Sequence, residues 1–499
     1  MTLRNVLFIF SDQHNQKVTG CYGDKVVQTP NIDRLASEGV QFNNAYCPSP
    51  ICVPSRMAML TARWPFRQQC WTNDDILRSD LPTWLHGAGA AGYTPVLIGR
   101  LHAIGPDQLH GYSERAIGDH SPNWQGAPRQ SMGALDLAND PNPESLDKCG
   151  PGRSAYQEKD NDVTQAAVDW IKEDGSALNA EGKPFCLTVG FLSPHPPYVV
   201  DSEAYNTYAG KVPAPQLGPE DAGHAFHRWW REDRGISDVT SAKADRARTA
   251  YWGMVHRMDE MIGRVLNSLE ESGMMDNTLI VYASDHGDHL GERGLWWKHT
   301  FYEESVKVPL IMRLPGVLPA GETRDQVVNL VDLSQTMLVA MGAPELPHTD
   351  GRSFWEVAQD DQTPWENNTY SEYCTDQVPA WTGGKAVQQR MIRSGDWKLA
   401  VYNGEAPQLF NMASDPLEQN DLANDPAHKD KREALMASVT RDWDSHTIAK
   451  TMQTRRVEKD ILLKWAQNLQ PVGTHIWKFD PDINKLDDDL GPPDGDVVT

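Results

Sequence analysis

Residues 6–10 read Val-Leu-Phe-Ile-Phe, an apolar run with no polar alternation. A strand with one wet face alternates, so an unbroken run marks a strand buried on both faces, as in a parallel sheet covered by helices. Residues 93–98, 185–191 and 278–283 repeat the pattern. Helical spacings lie between them. One opens after Thr29-Pro30 and stops at Gly39. In a longer one, 241–271, Tyr251, Val255, Met258, Ile262, Val265, Leu266 and Leu269 recur at i, i+3, i+4 before Gly273. This alternation predicts an α/β fold: a doubly wound, largely parallel sheet sandwiched by helices, with its site at the carboxyl ends of the strands.

The chain has 499 residues, room for two to four domains at about 150 residues each. A polar stretch at 359–368 reads as a linker. Beyond it, 390–393, 397–402 and 408–411 are strand-like and 429–442 is helical, which predicts a smaller C-terminal antiparallel sheet with a helix. The expected division is 1–365 for the α/β domain, 366–449 for the small sheet and 450–499 for an extension. That extension sets Trp465, Ile476, Trp477 and Phe479 among charges and ends in an Asp-rich tail. It is too sparse for a core of its own, so it is expected to dock, preferentially on a neighbouring subunit.

Lys and Arg number 46 against 69 Asp and Glu, a formal net charge of −23. Such a surface repels phosphate backbones and anionic lipid heads, so neither nucleic acid nor membrane is an expected partner. No run approaches the roughly 18 apolar residues of a spanning helix. The N-terminal residues lack the basic, apolar and small-residue succession of a secretory signal. The seven cysteines are odd in number and include no C-x-x-C pair. Together these features predict a reducing, cytoplasmic location.

The chemistry concentrates at Pro50-Ile-Cys52-Val-Pro54-Ser-Arg56. Proline suits a first helical turn, which puts Cys52 at a helix N-terminus and Arg56 on the same face one turn later. A positive helix end and a guanidinium together favour a tetrahedral oxyanion. Taken alone, the segment reads more readily as a small buried cysteine beside a solvated arginine. Asp12 follows the first strand and Asp285-His286 follows the strand at 278–284. Neighbouring parallel strands would bring them together as an oxygen-rich set, with Gln13, for a hard divalent cation such as Ca²⁺; His286 admits Mn²⁺.

The C-V-P-S-R motif resembles the C-x-P-S-R signature of the type I, formylglycine-dependent sulfatases of the alkaline phosphatase superfamily. The resemblance runs along most of the chain in order: Ser11-Asp12-Gln13, Gly99-Arg100-Leu-His102, Ser193-Pro-His195-Pro-Pro-Tyr198, Ser284-Asp285-His286-Gly287, Lys298, and Leu409-Phe410 to Asp415-Pro-Leu-Glu418. It implies a sulfuric ester hydrolase whose Cys52 is converted to formylglycine. It also implies a metal held by Asp12, Asp285, His286 and the modified Cys52, with Gln13. Asp-Gln and Asp-His at these places are similar to the choline sulfatase and phosphonate monoester hydrolase branches.

By the same resemblance, Arg56 and Lys298 stabilise the transferred group and His102 acts as base toward the nucleophile. His195 and Lys298 contact the sulfate and the leaving oxygen, and Asn73 and Arg100 bind substrate. Trp124 and Asp376 are candidates for an aromatic and an anionic contact to a quaternary ammonium. His14, His289 and His299 read as satisfied surface histidines. One hydroxyl of the hydrated aldehyde attacks sulfur, and loss of the other's proton expels sulfate. The implied substrate is a small-molecule aryl or alkyl sulfate. Phosphonate monoester or phosphodiester hydrolysis, choline sulfate hydrolysis and a non-catalytic anion-binding homologue are the alternatives. The implied partners are a formylglycine-generating enzyme during maturation and further copies of the chain, as a dimer or tetramer.

Overall fold

The computed structural model describes residues 4–139, 141–221, 223–376 and 386–487. Its centre is an eight-stranded sheet: β1 (Asn5–Ser11), β2 (Val40–Tyr46), β3 (Thr94–Gly99), β4 (Glu114–Ala116), β5 (Phe185–Gly190), β6 (Thr278–Ser284), β7 (Leu310–Arg313) and β8 (Glu322–Asn329). The spatial order is β8-β2-β7-β6-β1-β5-β3-β4. All pairings are parallel except those of β7, which runs antiparallel to both β2 and β6. The four apolar runs are the central strands β1, β3, β5 and β6, and β1 and β6 are buried at every position. Helices cover both faces: α1 (Pro30–Ser37), α3 (Ala155–Trp170) and α4 (Ser241–Glu271) on one, α2 (Cys52–Thr61) and α5 (Leu330–Met341) on the other. Helix α4 has the bounds its spacing predicts. Among the described residues no helix is long and apolar enough to cross a membrane.

A separate antiparallel sheet follows in the order β9 (Asn368–Cys374), β10 (Gln388–Ser394), β11 (Trp397–Tyr402) and β12 (Gln408–Asn411). Its first strand falls just past the polar stretch and carries no clean apolar alternation. Helix α6 (Lys429–Val439) packs on it through Leu435 and Val439. Helix α7 (Ser445–Leu469) runs unbroken through the boundary expected at 449/450 and joins the same core through Ile448 and Met452.

The extension is not poised for a neighbour alone. Residues 470–487 lie on their own chain: Ile476 bridges Asp119, and Lys485–Leu486 pairs with Gly150–Arg153. Over these residues the extension packs on its own chain. The Asp-rich end from 488 lies outside the described residues.

Candidate active site

β1 and β6 are neighbours in register, Ser11 opposite Ser284, so the next residues, Asp12 and Asp285, emerge side by side. Helix α2 aims its first turn at the same point. Ligand atoms of Asp12, Cys52, Asp285 and His286 all lie within 4.8 Å of one another, and all four residues are buried. Arg56 ties the carboxylates together: Nε donates to Asp285 Oδ2 at 2.9 Å and Nη2 to Asp12 Oδ2 at 3.0 Å. Burial alone would raise the Asp12 carboxyl, but Arg100 and then Arg56 hold it well below the usual range. Burial lowers His286 to about 4, outweighing the pull of Asp285, so the ring is neutral. Its Nδ1 donates to the Gly287 carbonyl at 3.0 Å, which leaves the Nε2 lone pair for the cluster, 3.2 Å from Cys52 Sγ. Two carboxylates and an imidazole lone pair fit a divalent cation.

Gln13 lies at the rim of this group. Its amide nitrogen donates to Asp288 Oδ2 at 2.6 Å and its oxygen accepts Lys298 Nζ at 2.7 Å. Asp288 therefore sets which end of the amide faces Lys298. Lys298 Nζ also stands 3.1 Å from Cys52 Sγ. Asn73 Oδ1 accepts the Val53 amide at 3.0 Å, so it satisfies one of the free N–H groups at the start of the nucleophile helix.

Arg100 contacts Asp12 through a very short Nε–Oδ2 ion pair and donates from Nη2 to His102 Nδ1 at 2.9 Å. An arginine only donates, so the neutral His102 ring carries its proton on Nε2. Burial first, then Arg100, keeps His102 neutral. In this arrangement the ring accepts from Arg100 at Nδ1 and presents a donor at Nε2. The backbone N–H of His102 is held by Asp119 Oδ2 at 2.8 Å. Arg115, Lys159 and Arg100 surround Asp119 and outweigh its burial, holding its carboxyl well below the usual range. His195 donates from Nδ1 to Pro196 O at 2.7 Å.

The backbone is forced where chemistry gathers. Gln13 (φ 66°), His102 (φ 60°), Trp297 (φ 62°) and His299 (φ 83°) all adopt left-handed conformations, two of them flanking Lys298. Such residues cost about 1–3 kcal/mol each and persist only where surroundings over-determine them. Behind Arg100, β3 and β5 end in facing glycines. A Cβ on Gly99 would stand 2.2 Å from Gly190 O, and one on Gly190 would stand 2.2 Å from Arg100 O.

One pocket opens above the cluster. It is lined at its floor by Cys52, Arg100, His102, His195 and Lys298, and on its walls by Asn73, Asp74, His120, Trp124 and Tyr156, among others. Asp376 does not line it. Its carboxylate lies 3.4 Å from Lys459 on α7, which is closer, at 2.9 Å, to Asp75. The surface reading of His14, His289 and His299 is corrected. All three are buried. His14 bonds Tyr282 Oη and Val18 O, His289 bonds Thr300 Oγ1, and His299 reaches the pocket wall. Asp288, Asp119 and Asp74 were not legible beforehand. Asp288 sits in the run Asp285-His-Gly-Asp288, where its spacing offered a weak signal; Asp119 and Asp74 lie in loops without a pattern.

The Sulfatase family profile matches residues 4–343, and the profile described as N-sulphoglucosamine sulphohydrolase, C-terminal, matches 291–443. The chain is 32% identical over 441 residues to a choline-sulfatase of Rhizobium meliloti (strain 1021), covering 85% of this chain and 83% of the relative. It is 27% identical over 515 residues to arylsulfatase K of Danio rerio, covering 95% and 91%. Among solved structures, the phosphonate monoester hydrolase of Agrobacterium radiobacter superposes with a TM-score of 0.72 at 22% identity, covering 90% of this chain and 96% of that one. The breadth of these matches, on a chain whose buried Asp-Cys-Asp-His cluster sits where the sheet delivers it, leaves one conclusion: the protein belongs to the sulfatase family and is a sulfuric ester hydrolase.

Proposed function

We propose that the chain hydrolyses aryl or small alkyl sulfates with formylglycine made from Cys52 and a divalent cation, Ca²⁺ by preference and Mn²⁺ as the alternative. The observation that carries this reading is the setting of Cys52. It is buried at a helix start, 3.2 Å from His286 Nε2 and 3.1 Å from Lys298 Nζ, within the carboxylate pair. Asp12, Asp285, His286 and residue 52 would hold the cation, which supplies charge neutralisation and a more acidic hydroxyl at neutral pH. Formylglycine supplies two hydroxyls on one carbon, one to take the sulfuryl group and one to release sulfate. The chain's residues do the rest. Arg56 orients both carboxylates and helps to keep Asp12 ionised. Arg100 and the Nε2–H of His102 donate to sulfate oxygens, and Lys298 offsets the charge that builds there. His195 Nε2, or Lys298, exchanges the proton of the leaving oxygen.

A phosphonate monoester presents the same singly charged tetrahedral centre, and it is the second reading. The solved hydrolase that shares this fold supports it, while Gly99-Arg100-Leu-His102 favours sulfate. A choline leaving group would meet Trp124 and Asp74 rather than Asp376. Maturation requires a formylglycine-generating enzyme, and the unpaired state of all seven thiols supports a cytoplasmic location. Self-association is supported by a stripe on α7, where Val457, Ile461, Trp465 and Leu469 recur every fourth residue and are all exposed. The test pairs intact mass of the peptide spanning Cys52 with rates on an aryl sulfate and on phenyl phosphonate. Faster sulfate turnover by a converted protein supports the reading; a faster phosphonate reaction transfers it to the second.

A further inference from the structure

The pocket has two unlike halves. Its floor is fixed by strand ends and by α2. Its outer wall comes from residues 120–132, which form neither helix nor strand, so something else must hold them. The C-terminal arm does. Trp477 N donates to Asp119 O at 2.9 Å, Thr474 N to Asn123 Oδ1 at 2.6 Å, and Gln130 Nε2 to Trp477 O at 2.9 Å. Trp465 meets Trp124 edge to face with ring centres 5.0 Å apart. The approach is close enough to demand glycine. A Cβ on Gly126 would stand 2.6 Å from Leu463 O, and one on Gly118 would stand 1.5 Å from His475 O.

We propose that this arm is the specificity element of the pocket, clamping the leaving-group wall from within the same chain, with Trp465 as the residue that positions Trp124. An isolated loop tryptophan has several rotamers. A perpendicular partner fixes one, so a leaving group long enough to reach Trp124 meets a preset apolar face. A leaving group of one or two carbons stays at the floor and does not sense it. The substrates selected by the arm are therefore sulfates of flat or apolar leaving groups. This substrate class rests on the sulfate-ester reading; the clamp itself does not.

The experiment uses the full chain with Trp465→Ala and Trp465→Phe. With 4-nitrophenyl sulfate, Trp465→Ala raises KM about three- to tenfold and changes kcat by less than about twofold, with methyl sulfate unaffected. Trp465→Phe restores most of the loss. Equal effects on both esters, or an unchanged aryl KM, overturn the specificity role. In parallel, hydrogen exchange of residues 119–132 accelerates in Trp465→Ala while 52–61 stay unchanged; unaltered exchange at 119–132 overturns the clamp. A wild-type enzyme inert to both sulfates defeats the sulfate reading instead, and the exchange result still decides the clamp.

Discussion

Arg56 and Asp285 share a 2.9 Å hydrogen bond, Nε to Oδ2, with both side chains withdrawn from solvent. Because the same guanidinium reaches Asp12, one planar cation sets the spacing of two carboxylates. A lysine ammonium is a single point and cannot span both. Arg56→Lys is expected to lower kcat by about 10²–10³. Arg56→Ala leaves two buried acids facing each other and should destabilise the metal-free protein by about 3–5 kcal/mol. Steady-state rates and denaturant unfolding check both.

Cys52 carries the second prediction. The converted protein should be about 18 Da lighter than its sequence mass. Cys52→Ala should abolish turnover with the melting temperature nearly unchanged, since the side chain is small. Cys52→Ser should give one burst of product and then stall, because a serine ester of sulfate lacks the second hydroxyl. Steady turnover by Cys52→Ser would refute the two-hydroxyl route.

Metal removal is the third. Chelation should abolish activity and lower the melting temperature, and restoring the cation to 100 times its Kd should add about 2.7 kcal/mol of stability. Asp285→Ala should lose metal and rate together. Metal analysis beside the rate assay decides; full activity after chelation would exclude the site.

Glu372 gives a pH signature remote from the chemistry. Burial raises its carboxyl to about 8, with Arg390 only partly opposing. The folded state therefore keeps a proton that the unfolded state loses near pH 4.5. Its contribution to stability is complete below the unfolded value and is lost as pH rises through the folded one, at about 1.4 kcal/mol per pH unit. Glu372→Gln should flatten that fall between pH 5 and 8, measured by urea unfolding.

For assembly, light scattering of the full chain should report a dimer or tetramer, and Ile461→Glu should shift it to monomer. Ile461 is 65% exposed on α7, so the charge costs the fold little and an unchanged mass would reject the stripe as the interface.

The central strands and α4 were legible because burial on both faces or on one stripe writes an unmistakable pattern. β9 was not, since Asn368–Cys374 mixes polar and apolar residues whose neighbours come from distant segments. Asp12 and Asp285 were legible because each directly follows a strand. Asp119 was not. Its role depends on Arg100, Arg115 and Lys159 converging from β3, β4 and α3, a meeting that no local spacing records. The approach of Asp376 to Lys459, 83 residues further along the chain, is equally unrecorded.

The facing glycines at the ends of β3 and β5 set a different kind of limit. Neither lines the pocket, yet each leaves room for a hydrogen where a methyl group would press on a main-chain oxygen. A methyl at 190 would press on the main-chain oxygen of Arg100, the residue that pairs with Asp12. Two positions without functional groups thus set how closely β3 and β5 can approach at the point where Arg100 leaves the sheet.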